Sequence, residues 1–158
     1  MATTVLTPNM QSFAENGAVP EFWSKIEGIV GDASGGLVLH TILNPFGEDL
    51  VITKALLVVT TPSGNVATDL DIGLGDDAAG TNNGAELCDG AVAATLNTAG
   101  VKDLSVVHAI AAPPVVPIWK AAGTSTDSYM CIDQNGSVDA SALRATLCLK
   151  CAKYKDLI

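Results

Sequence analysis

From Gly36 onward, apolar and polar residues alternate with a period of two, the spacing of a strand rather than a helix. Leu37, Leu39, Thr41 and Leu43 fall on one face, and Val38, His40 and Ile42 on the other. Both faces are mostly apolar, which predicts a buried strand. Asn44-Pro45-Phe46-Gly47 then supplies turn chemistry, because proline fixes φ and glycine tolerates positive φ. The run LVITKALLVVTT, Leu50 to Thr61, continues with aliphatic and β-branched residues and closes at Pro62-Ser63-Gly64-Asn65. Further strand candidates follow at residues 65–73, 91–96, 104–110, 115–120, 128–132 and 142–154. Together they predict an all-β, antiparallel sandwich or barrel of about eight strands. Asn82-Asn83-Gly84 and Gln134-Asn135-Gly136 read as turns. Pro113, Pro114 and Pro117 consign the 115–120 segment to an edge or an irregular strand, since proline cannot donate to the ladder. Val138 to Arg144 accommodates a helical turn, and no internal repeat is present.

The first thirty residues follow a different pattern. Residues 1–19 are polar and punctuated by Thr, Pro, Asn and Gly, which predicts an extended arm that orders only against another surface. In PEFWSKIEGIV, Pro20 to Val30, the Pro-Glu pair suits a helix start, and Phe22, Ile26 and Ile29 recur at three- to four-residue spacing. A short helix fits this spacing, and so does an extended segment laid against a neighbouring subunit. The predicted division is therefore an N-terminal arm over 1–30 and a β-sandwich domain over 31–158. Adjacent aromatics in a polar arm suit a partner's pocket, which makes Phe22 and Trp23, with Ile26 beside them, the candidate interface residues.

A chain of 158 residues fits one domain with a core large enough to need no disulfide framework. Hydrophobic residues make up 48% and charged ones 16%, apolar enough to predict that neighbouring subunits cover part of the surface. Seventeen acids against eight bases give a formal charge of −9, and the absence of clustered bases argues against nucleic acid as a partner. Lys150, Lys153 and Lys155 read as a solvated strand end. The opening MATTVLTPNM lacks the basic and apolar regions of a signal peptide, and no run approaches a membrane span. The chain is expected to be soluble and made inside the cell, with no membrane partner.

Each candidate for chemistry has a plainer reading beside it. Asp69, Asp71, Asp76 and Asp77 offer hard oxygen ligands of the kind calcium uses, but without the offsets of an EF-hand loop, and a solvated strand end is the better reading. Cys148 and Cys151 have CxxC spacing, yet residues three apart on a strand point to opposite faces. With Cys88 and Cys131 they read as small apolar residues. His40 and His108 sit in apolar strands with no nucleophile motif nearby, and the glycine-rich runs lack the Lys-Ser/Thr pair of a phosphate loop. Asn135-Gly136-Ser137 matches a glycosylation sequon and reads as a turn. No catalytic residue, metal ligand or cofactor site is assigned, and the protein is not expected to be an enzyme.

The run NPFGEDLVITKALLVVTTPSGNVATDLDIGLGDDA, residues 44 to 78, resembles a type of small structural protein of tailed bacteriophages, the capsid decoration or cement proteins and related head accessories. In those proteins a similar turn leads into a similar strand and an acidic turn. The resemblance implies a jelly-roll-like β-domain that assembles as a homotrimer on the outer capsid surface of the virion. There it contacts the major capsid protein and ties neighbouring capsomers together. The competing expectation is a head-fibre or tail-associated β-sandwich module that binds a host surface glycan. Such a module needs exposed aromatic platforms on its loops.

Overall fold

The computed structural model describes residues 20–65, 69–80, 84–90, 96–104, 116–124, 126–135 and 139–158. Eight strands are defined there: β1 (Glu21–Val30), β2 (Leu37–Leu43), β3 (Leu50–Thr61), β4 (Asp69–Gly75), β5 (Gly100–Asp103), β6 (Ile118–Trp119), β7 (Tyr129–Asn135) and β8 (Arg144–Lys153), with a 3-10 turn at Tyr154–Asp156. They form two antiparallel sheets. The first has the order β1-β8-β3-β5, with the short β6 also on β3, and the second has the order β2-β7-β4. Residues 84–88 extend the second sheet past β4, since the Gly84 N–H donates to Leu74 O at 2.7 Å and Ile72 exchanges backbone bonds with Cys88.

Period-two patterning explains why the sheets pack as a sandwich. Along β8, Ala145, Leu147, Leu149 and Cys151 are buried, and the register sets Leu147 opposite Leu57 and Leu149 opposite Ala55 on β3. From the second sheet, Leu70, Ile72 and Leu74 of β4, with Met130 and Ile132 of β7, point into the same apolar cluster. Two faces of aliphatic side chains thus exclude water from each other, and the sandwich forms one core.

Glu21–Val30, within the segment whose spacing fits a short helix, is a strand, and it belongs to the domain rather than to an arm. It pairs with β8 along its length, from Glu21 opposite Ala152 to Val30 opposite Arg144. Ser24, Ile26 and Ile29 are buried beneath it. Ile26 and Ile29 stand three apart because a register shift lies between them, with Gly28 held at φ 78°. That irregularity advances the inward phase by one residue, so the spacing that resembles a helical turn is instead a bulge. The domain boundary accordingly falls before Glu21 instead of after Val30. Residues 1–19 lie outside the described residues.

Elsewhere β4 and β7 overlap their expected segments and run past them, β8 lies within its own, and β5 falls in none. The proline-rich segment yields only the two-residue β6, while Gly100–Asp103 forms β5 just ahead of the expected 104–110 strand. Residues 91–95 and 105–110, with Asn82, Asn83, Gly136 and His108, lie outside the described residues. The expected turn at Gln134 and Asn135 is strand, because the fully buried Gln134 amide is satisfied from outside the ladder. Its Oε1 accepts from Asp32 N at 2.8 Å, and its Nε2 donates to Asp32 O at 3.1 Å. Among the described residues, no helix is long and apolar enough to cross a membrane.

Replacing Ile26 by Ala is expected to cost about 2–5 kcal/mol, the range for emptying a well-packed aliphatic site, as read by urea denaturation. A detachable arm would leave the midpoint unchanged.

Candidate functional site

The turn from Asn44 to Asp49, between β2 and β3, is a polar corner that joins both sheets. Asn44 ends β2 and is almost fully buried. Its Oδ1 accepts from Phe46 N at 2.9 Å, and its Nδ2 donates to Glu48 O at 3.0 Å and to Trp119 O at 2.9 Å. The fully buried Trp119 donates its indole N–H to Ser128 O at 3.0 Å. Asp49 accepts from Ala121 N at 2.8 Å and pairs with Lys120 at 3.0 Å. The Ala121 N–H, followed by the Lys120 ammonium, holds the Asp49 carboxyl below its ordinary range. Glu48 pairs with Lys153 at 2.6 Å and Lys155 at 2.8 Å, and these two ammonium groups lower its pKa in turn. Gly47, at φ 68°, makes the turn possible. The corner fixes the ends of β2, β3, β6 and β8 and offers no reactive group.

The three candidate interface residues do not form one surface. Ile26 is fully buried in the chain's own core. Phe22 packs against that core, its ring 5.3 Å from Phe46, which in turn meets Trp119 edge-on at 6.3 Å. Trp23 alone points outward, partly buried and opposite Lys150.

A concentration of carboxylates lies on the second sheet. Asp69 and Asp71 occupy the outer face of β4, and the register places Asp133 of β7 directly opposite Asp71. Like charges opposite each other on a sheet repel. Asp71 accepts from Gly90 N at 2.6 Å and from the Asn135 amide, whereas one buried oxygen each of Asp69 and Asp133 has no hydrogen-bond partner. Burial, followed by the charge of Asp71, raises the Asp133 carboxyl to about 6. The same causes raise Asp69. The acids expected beside them, Asp76 and Asp77, serve the following loop: Asp76 accepts from Asp127 N at 3.2 Å and Asp77 from Ala79 N at 2.9 Å. Among the described residues, no three His, Cys, Asp or Glu side chains converge to hold a metal ion. Asp133 escapes a sequence reading because only the strand register brings it to Asp71, 62 positions away in the chain.

The thiols and the described histidine are at least half-hidden from solvent. No disulfide joins any of Cys88, Cys131, Cys148 and Cys151. Cys151 is fully buried on the inner face of β8 and Cys148 lies on its outer face, as a spacing of three on a strand requires. Burial pushes the Cys151 thiol up to about 12 and, with neighbouring acids, Cys131 up to about 11, which leaves neither as a nucleophile. Burial lowers the pKa of His40.

Charge is segregated between the sheets. Every base lies on the first sheet or beside it: Lys25 on β1, Lys54 on β3, Lys102 on β5, Arg144, Lys150 and Lys153 on β8, Lys120 after β6 and Lys155 in the 3-10 turn. The second sheet and the 76–90 segment carry Asp69, Asp71, Asp76, Asp77, Glu86, Asp89 and Asp133, and no base.

No family model, no curated protein and no solved structure matches this chain.

Removing the Asn44 side chain (Asn44→Ala) orphans the buried Trp119 and Glu48 carbonyls and is expected to destabilise by about 2–3 kcal/mol in chemical denaturation. For Asp133, the folded pKa lies above the unfolded value, so the fold binds more protons than the unfolded chain between roughly pH 4 and 6. Stability from this group therefore rises as pH falls through 6, and its penalty is fully present above that. Asp133→Asn is expected to stabilise at pH 8 by about 1–2 kcal/mol after solvent screening and to reduce the gain on acidification, as thermal melts from pH 8 to pH 5 will measure.

Proposed function

We propose that this chain is a virion structural protein of a tailed bacteriophage, a jelly-roll domain that sits on the outside of the capsid as a homotrimer and cements neighbouring capsomers. The observation that carries this reading is what the phage-like run builds. Residues 44–78 supply the buried corner at Asn44, the central strand β3 that pairs with β8, β5 and β6, and the whole of β4. The resemblance thus falls on the framework of the fold. Strand order supports the jelly-roll part: β1, β3, β5 and β8 lie in one sheet, with β2, β4, the 84–88 segment and β7 in the other. A chain that passes between two facing sheets in this order winds as a jelly roll does.

The mechanism is mechanical. Many individually weak contacts across a capsomer boundary, multiplied by three linked copies, raise the cost of separating subunits under internal pressure. A glycan-binding module would require aromatic rings on exposed loops. Among the described residues, Trp119 is fully buried, while Phe22 and Phe46 pack against the core.

Cryo-electron microscopy of the particle that carries this chain tests the proposal. Density for the domain at three-fold or quasi-three-fold positions of the shell is the expected result, and density confined to a vertex or the tail would overturn it.

A further inference from the structure

The outer face of the first sheet has the make-up of a protein contact. Val101, Val58 and Leu56 form an apolar stripe across β5 and β3, with Val101 64% exposed. Of the outward carboxylates, Asp103 is neutralised by Lys54 at 2.9 Å and Glu21 by Lys150, while Glu27 lies with Lys25 beside Cys148. Lys25 and Arg144, both exposed, form no ion pair among the described residues. Lys25, Lys54, Arg144 and Lys150 thus stand against Glu21, Glu27 and Asp103, so in a chain of formal charge −9 this face carries a small positive surplus around an apolar centre.

Its complement lies on the same molecule. Beyond β4, residues 76–80 and 84–89 expose Ala78 and Ala79 between carboxylates, and Asp76, Glu86 and Asp89 meet no base among the described residues. Gly73 permits the close approach that holds this margin against the sheet, since a Cβ there would lie 2.0 Å from Gly84 O. The two surfaces belong to different sheets. A symmetric two-fold contact of either surface with itself would set like charge against like.

We propose that the outer face of the first sheet receives the acidic margin beyond β4 of a second copy of this chain. Copies then associate head to tail through two different surfaces. A contact of this kind closes into a ring when its rotation permits, and three copies give the trimer of the function proposed above, on which this inference rests.

Sedimentation of the full chain over a concentration series tests it. A trimer is expected at low salt, with its dissociation constant weakened about tenfold between about 0.05 and about 0.5 M salt. Lys25→Glu with Arg144→Glu is expected to give a monomer with an unchanged far-ultraviolet circular dichroism spectrum. Adding Ala79→Lys and Asp89→Lys to that variant inverts both surfaces, and association is expected to return. An oligomer that survives the double substitution, a fourfold variant that stays monomeric, or a wild-type chain that is monomeric throughout would overturn the inference. A monomeric wild type that still decorates shells overturns this contact and leaves the capsid reading standing. A charge-dependent trimer absent from the particle does the reverse.

Discussion

The position of β8 between β1 and β3 is the constraint on which the rest of the structure depends. Both of its edges are paired, with β1 from Glu21 to Val30 and with β3 from Leu50 to Thr61. A strand paired on both sides leaves no free backbone donors on either edge, and its inward residues Leu147 and Leu149 are fully buried at the centre of the core. The chain's end and its first described strand are thereby joined, so the domain is complete only when residues about 120 apart have met. Such non-local pairing is slow to form, because loop closure must precede the contacts that reward it.

Around this apolar centre, a few buried polar side chains fix where the chain turns. Asn44 and Gln134 are almost wholly inaccessible, and each bonds backbone groups of a distant segment. Such groups are costly unless satisfied, so they favour one arrangement of the connections over its near alternatives. Aliphatic packing supplies the drive to collapse, and these amides specify the corner that results.

Electrostatics divides the molecule along the same two sheets. Bases on the first sheet are largely spent on Glu21, Glu48, Asp49 and Asp103, whereas Asp71, Asp76, Asp77 and Glu86 of the second sheet and its margin accept from amide groups, and one oxygen each of Asp69 and Asp133 is buried without a hydrogen bond. One side of the sandwich is thus close to neutral and the other strongly negative. A surface so divided favours contacts between unlike faces and discourages contacts between like ones. This suits a role carried by surfaces rather than by a reactive centre.

The sequence by itself determined the all-β class, the run of β3, the turn at Asn44 to Gly47 and the separation of Cys148 from Cys151. All of these follow from local rules: period-two burial, turn stereochemistry and the alternation of side chains along a strand. Only the tertiary structure decided that Glu21 to Val30 is an edge strand of the domain, because a bulge at Gly28 gives a strand the three-residue spacing of a helix. Ile26 consequently lies in the chain's own core and not at an interface. The opposition of Asp71 and Asp133 was likewise invisible in one dimension, as was the confinement of the bases to the first sheet and its borders. Register and sheet membership join residues far apart in the chain, and no local pattern encodes which strands will become neighbours.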